Sequence, residues 1–530
     1  MFGERKMRST LVSLLAVAIA VAAAVANLQG DAGSKCQLEV RLLGESGELI
    51  PGVVRFQGAD GKTLKVAELV SRGVGLGEEL PIQDWYALPK PATVTVPRGT
   101  ITVTAFSGLE TELASLTIDG TGKSARAEIR LKTFWDRRKQ RLVSGNTHLH
   151  VMKLSREECD RYLADVPKAD DLDVLFLSYL ERADADQTYI SNRYNAGDLS
   201  ALSATSGVVF GNGEEHRHNF GDFGDGYGHV MLLNIKELVQ PVSIGPGIMK
   251  TGSDGIPLSR GIQQAKRDGA TAIWCHNVFG IESEANWLLG RLDAMNIYDG
   301  GQRAGFDERF YQLLNVGLKV PFSTGTDWFM YDFSRVYVPL DGKVTVDAWL
   351  KSLAAGRSFI TNGPLFEFRV DNSQIGDTVK LTKPGEVMIH GQIRGRTDFQ
   401  QLEVVRNGEV IATVPTRSDG AHFIAELNKP IQMSSPGWLA IRIPPPDLKG
   451  DSTPKNEFGR KLYGHTSPIY VEVAGQSHFN PMVARALLET MKAAQETVRK
   501  HGRFDDDQGR SRVLDVYEDA TETLKSRLED

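Results

Sequence analysis

Between Arg141 and Gly363 the chain changes rhythm, and that change limits its possible folds more than any other feature. Residues 36 to about 133 carry short alternating or β-branched runs: "QLEVRLL", "GVVRFQG", "ATVTVP", "TITVTAF" and "ARAEIRL". Turn segments such as "GADGK" and "PRGT" separate them, as in an all-β unit. After Arg141, strand-like runs alternate with helical ones. The strand-like runs are "DLDVLFLS" (171–178), "SGVVFGN" (206–212), "GHVMLLN" (228–234), "ATAIWCH" (270–276) and "LKVPFSTGTD" (318–327). The helical candidates are "SREECDRYLADV", "SRGIQQAKRDG" and "FDERFYQLLNVG". Such alternation is satisfied by strands joined through crossover helices, as in an α/β barrel. From about Pro364 the β signal returns ("LFEFRV", "EVMIHGQI", "WLAIRI", "SPIYVEV") and ends near Ala474.

The expected architecture is therefore multidomain, α/β plus β. An N-terminal β-sandwich (36–133) precedes a barrel-like α/β unit (140–363), a C-terminal β-sandwich (364–474) and a helical tail (480–530). At 530 residues the chain is too long for one ordinary core. In the tail, Asn480-Pro481 forms an N-cap and first-turn pair. Apolar positions follow at Val483, Leu487, Leu488 and Met491, then at Val513, Val516, Tyr517, Ala520 and Leu524. This stripe either packs on its own protein or forms a homodimer contact.

The N-terminus reads as an export signal. Arg5, Lys6 and Arg8 precede the apolar run Leu11–Ala26, which is short for a spanning helix, and Ala24-Val25-Ala26 has the small-x-small form of a cleavage site. The expectation is a signal peptide over 1–26 and a periplasmic or secreted protein, with an uncleaved anchor as the alternative. Net charge is −6 with the basic residues scattered, which argues against nucleic-acid or anionic-membrane partners. Cys36, Cys159 and Cys275 are odd in number, widely spaced and without a C-x-x-C pair. They read as buried thiols rather than a disulfide framework.

Metal-capable residues gather at the strand ends of the α/β region. "SGNTHLH" puts His148 and His150 two apart at the close of the first strand, where alternation points both the same way. Glu215 follows the strand ending near Asn212, His276 ends "TAIWCH", and Asp327 follows "VPFSTGT". His229 opens a strand after the Gly-rich "FGDFGDGYG". Alternation turns Cys275 away from His276, making it a poor ligand. Each residue alone has a structural explanation; the ordered mixture of imidazole and carboxylate suits hard or borderline cations.

The order H-x-H, G-x-E, G-H, a strand-ending His and G-T-D resembles that of the PHP (polymerase and histidinol phosphatase) metallohydrolases. "AAGRSFITNGPLFEF" (354–368) and "LEVVRNGEV" (402–410) look like the carbaryl-hydrolase-like (CehA/McbA) branch. The resemblance covers roughly residues 140–475 and implies a distorted (β/α)7-type barrel. It implies one metal among His148, His150, Glu215 and Asp327, and a second among Glu215, His229 and His276, with Glu215 and Asp327 as the catalytic carboxylates. Two departures matter. Ser178-Tyr179-Leu180 stands where the family has T-D-H, and Asp327-Trp328-Phe329 lacks the closing histidine. Both remove ligands of a third metal, so two divalent ions (Zn, Mn or Fe) are expected and a third is not.

Weaker metal candidates are His216 and His218, in a polar loop expected to be solvent-exposed, and Glu181, Asp184 or Asp186. Arg335, Asn362 and Trp328 are candidates to hold a small-molecule substrate. Phe279, Trp287, Trp328 and Tyr227 are candidates for an aromatic wall. His390, His422, His465, His478 and His501 are read as structural or surface residues. The implied function is an exported hydrolase that activates water with two ions, acting on a phosphoester or related ester. A carbamate or amide hydrolase, and a non-catalytic metal- or carbohydrate-binding envelope protein, are the alternatives.

Overall fold

Lys35–Leu43 buries every second side chain, Cys36, Leu38, Val40 and Leu42, as a strand with one covered face must. It lies between Ala92–Pro97 (antiparallel) and Ser124–Arg130 (parallel) in a three-stranded sheet. Val70–Ser71, Tyr86–Leu88, Gly52–Gly58, Thr100–Phe106 and Ala114–Asp119 form a five-stranded sheet in that order. The two share one core that includes Leu38, Val40, Val54, Phe56, Val94 and Val103. The computed structural model describes residues 34–529 apart from 78–79, 183–188, 225, 277–278, 302–304 and 307–308. The expected signal segment, Asp184 and Asp186 lie outside the described residues.

The chain is mixed α/β with more sheet than helix. In its middle, Leu142–His150 and Val174–Tyr179 run parallel, as do Val174–Tyr179 and Val209–His218. Gly228–Leu233 follows antiparallel to both Val209–His218 and Thr271–Cys275. Ala294–Asn296 and Phe322–Ser323 continue in parallel, and Asp327–Trp328 pairs back onto Leu142–His150, closing the sheet. Helices cover its outside. Arg156–Ala169 starts in a capping box in which Ser155 and Glu158 satisfy each other's backbone N–H groups. Leu258–Arg267 buries Leu258, Ile262 and Ala265 against the sheet.

The boundary expected near residue 363 is not a break in the sheet. Arg335–Pro339 pairs antiparallel with Leu142–His150 and with Phe359–Thr361, which in turn pairs with Gly464–Thr466. Hydrogen bonding therefore runs from the barrel into the C-terminal β region. A separate five-stranded sheet, centred on Gly385–Gly395, completes that region. One apolar cluster joins Trp85 and Phe106 to Tyr337, Phe366 and Ile441.

Pro481–His501 and Asp507–Glu529 form the tail, with the Asn480 side chain accepting from the Met482 and Val483 N–H groups. Leu487, Met491, Val513, Val516, Tyr517, Ala520 and Leu524 are buried in the core that also holds Ala285 and Leu288. The apolar stripe is thus packed within the chain. Cys36, Cys159 and Cys275 are buried free thiols. No described helix is long and apolar enough to cross a membrane.

Candidate metal centre

One end of the barrel gathers the strand-end residues. His148 and His150 project from the same face of Leu142–His150, with Nε2 atoms 3.0 Å apart. Asp327 reaches them because Asp327–Trp328 lies beside Leu149 and His150, and Thr326 N–H donates to the His148 carbonyl at 3.0 Å. Its backbone is left-handed, at φ +60°, an uncommon conformation for a non-glycine residue. Gly300 approaches so closely that a Cβ there would lie 2.9 Å from Asp327 Oδ2. His229 joins because its strand runs antiparallel. The start of Gly228–Leu233 lies beside Arg217 and Cys275, at the barrel end where the parallel strands finish.

Glu215 is the hub. Its Oε2 lies 3.1 Å from His150 Nε2, and its Oε1 lies 2.9 Å from His229 Nδ1 and 3.2 Å from His276 Nε2. Asp327 Oδ1 lies 3.6 Å from His148 Nε2 and 3.9 Å from His150 Nε2. Three of the four imidazoles have their other nitrogen hydrogen-bonded outside the centre, and the His276 Nδ1 has only a nearby carboxylate. His150 Nδ1 faces the Ser178 carbonyl at 3.0 Å, and His229 Nε2 faces Asn219 Oδ1 at 3.3 Å. His148 Nδ1 and His276 Nδ1 both face Asp299 Oδ2, at 2.7 and 3.3 Å. One acceptor on the far nitrogen fixes the tautomer that leaves the near nitrogen free to ligate.

This arrangement leaves polar atoms that the protein alone does not satisfy. Asp327 Oδ1 and His229 Nδ1 are buried without a hydrogen bond, a costly state for a buried polar atom. Ligands about 2.0–2.2 Å from an ion stand about 2.9–3.6 Å from one another, and most of the separations around Glu215 fall in that range. Three groups satisfy the spacing: His148, His150, Glu215 and Asp327; Glu215, His229 and His276; and His148, Cys275, His276 and Asp299. These buried groups could hold metal ions, and the residues present fit them.

The electrostatics follow the geometry. Burial opposes charge on His148 and His276, but Asp299 and Asp327 outweigh it and raise both above the ordinary imidazole value. Burial pushes His150 down, and burial with Arg217 beside it takes His229 down to about 3. Burial alone would raise Glu215; Arg217 and His229 instead hold it well below the usual carboxylate range. Burial raises Asp327, against the pull of His276 and His148.

Several expectations are corrected. His216 and His218 are not in an exposed loop: the strand runs on to His218, and both are buried. They share the face opposite Glu215. His216 Nδ1 lies 3.0 Å from Glu214, while His218 bonds Asp254 at 2.8 Å and stacks on Tyr227. Tyr227 and Trp287 are consequently core residues, whereas Phe279 sits 4.5 Å from His229 and Trp328 5.0 Å from His150, ring to ring. Arg335 and Asn362 spend their polar atoms elsewhere. Arg335 donates to the Asp170 and Phe333 carbonyls; Asn362 bonds Asp332, the Lys461 carbonyl and Tyr463 N–H. Cys275 is nearer than expected, within ligating reach of His148, His276 and Asp299. The strand ends at Cys275, so alternation does not extend to His276. Burial holds its thiol well above the usual value. Glu181 belongs to none of the candidate ligand sets among the described residues.

Sequence reasoning missed Asp299, fully buried in "IYDGG" after Ala294–Asn296, and Arg217, beside Glu215. Asp299 carries the same signal as Asp327, a carboxylate just past a strand end. The fold and site together define a mixed α/β protein with buried histidine–carboxylate groups able to hold metal. No protein-family model, curated protein or solved structure matches this chain.

Proposed function

We propose that this chain is an exported metal-dependent hydrolase acting on a phosphoester or related ester, of the PHP kind and its carbaryl-hydrolase-like branch. The observation that carries the reading is the shared carboxylate: Glu215 faces three imidazole nitrogens, of His150, His229 and His276, within 3.2 Å. Two divalent ions held there would acidify a water and polarise the scissile oxygen. The chain's own part is to fix the ligands and border the centre. Asp299 and Ser178 orient imidazoles, Glu215 and Asp327 supply charge, and Phe279 and Trp328 wall the centre with apolar surface. Leu180 and Phe329, where further ligands would be needed for a third ion, are buried apolar side chains, which supports the two-ion reading. Export rests on the basic and apolar N-terminal pattern.

The test pairs metal analysis of the purified protein with a panel of aryl phosphates, carboxylic esters and carbamates. Stoichiometric metal with turnover of an ester, both lost in His148→Ala and Asp327→Ala, is the expected result. Metal without turnover of any class would favour the non-catalytic binding protein.

A further inference from the structure

Arg217 is the inward-facing residue next after Glu215 on its strand and lies directly across from His229. Its side chain is nine-tenths buried, yet its guanidinium is barely used. Nη1 makes one long contact to Glu215 Oε2 at 3.4 Å, and Nε is buried with no partner. A guanidinium carries five donors in a rigid fork, and burying it unpaired is costly. Glu215 meets its charge only through that single contact, and both carboxylate oxygens also face imidazoles.

Charge points the same way. Two divalent ions bring four positive charges, and Glu215, Asp299 and Asp327 return three. The ligating imidazoles add none, so Arg217 leaves the centre with a net positive charge that favours an anion. We propose that Arg217 binds a charged oxyanion group on the substrate, so that the centre selects a phosphoester-like anion over a neutral carbamate or amide. This inference rests on the metal-dependent reading above. The fork of Arg217 matches two oxygens of a tetrahedral anion, and its unpaired Nε is already desolvated for that contact.

The experiment measures inorganic phosphate binding by calorimetry to the full chain after metal reconstitution, with metal content and melting temperature read for each variant. Arg217→Gln is expected to keep its metal and its fold while losing phosphate affinity by about 10- to 100-fold. Arg217→Lys keeps the charge without the fork and is expected to fall between the two. Metal-loaded wild type that binds no phosphate would overturn the inference, as would Arg217→Gln binding it as tightly as wild type. Loss of metal in Arg217→Gln and Arg217→Lys alike would instead make Arg217 a support for Glu215, and would also overturn it. Wild type without metal would remove the underlying reading as well, which separates the two failures.

Discussion

Asp299 Oδ2 bonds His148 Nδ1, lies 3.3 Å from His276 Nδ1, and is itself held by Asn296 Nδ2 at 3.0 Å. Outer contacts of this kind set how well the inner nitrogens point. Asp299→Asn is therefore expected to weaken metal binding by about 10- to 100-fold, measured by chelator competition. Unaltered affinity would mean that the Nδ1 contacts do not orient the ligands. At this scale the sequence was partly legible. The spacing of His148 and His150 shows a shared face, and Glu215, His276 and Asp327 sit where strands end. Asp299 was not legible, because an aspartate before Gly-Gly has the composition of a turn. Arg335 and Asn362 were misjudged for a related reason: nearness in sequence to Asp327 says nothing about which buried acceptors claim their donors.

The strand Val209–His218 shows why elements differ from their composition. It presents Glu215 and Arg217 on one face and Glu214, His216 and His218 on the other. With polar residues on both faces from Gly213 onward, no hydrophobic alternation marks that part, and it reads as a loop after the strand that starts at Val209. Its pairing with Gly228–Leu233 and Ser243–Ile244 is tertiary information. Strands with ordinary apolar content, such as Val174–Tyr179 and Thr271–Cys275, lay where their patterns put them. A second polar element, Gly464–Thr466, joins the barrel to the C-terminal β region through His465. The His465 Nδ1–H donates to the Thr466 carbonyl, Nε2 accepts from Tyr311 at 2.7 Å, and the Tyr311 oxygen accepts from Arg442 at 2.9 Å. Burial, and then Arg442, push His465 down to about 3, so the folded state keeps it neutral. An unfolded histidine titrates near 6.5. The unfolded chain thus binds the extra proton first, and this contribution is whole above about pH 6.5 and is lost as pH falls towards 3. The expected slope is up to about 1.4 kcal/mol per pH unit. Urea unfolding of wild type and His465→Gln from pH 7 to pH 5 checks this: the variant should be less stable at pH 7 but flatter with pH. Parallel curves would contradict it.

The whole molecule is held together by sharing. The barrel passes hydrogen bonds to the C-terminal β region, one apolar cluster spans the N-terminal, central and C-terminal parts, and the tail helices share the core that holds Ala285 and Leu288. Leu524→Ala is accordingly expected to cost about 2–5 kcal/mol of stability, read by denaturant unfolding, without changing the mass found by light scattering. A drop from dimer to monomer mass with unchanged chain stability would instead place the stripe in a homodimer contact. The composition of the three regions was legible, because period-two and mixed patterns are local. The joining of their sheets was not, since pairing partners lie over 100 residues apart. The central claim, that Glu215 is shared between two ions, is tested most directly by anomalous diffraction from crystals grown with zinc or manganese. Two peaks about 3.5–4 Å apart are expected, one among His148, His150, Glu215 and Asp327, the other among Glu215, His229 and His276. No peak, or peaks that none of these residues ligates, would contradict it.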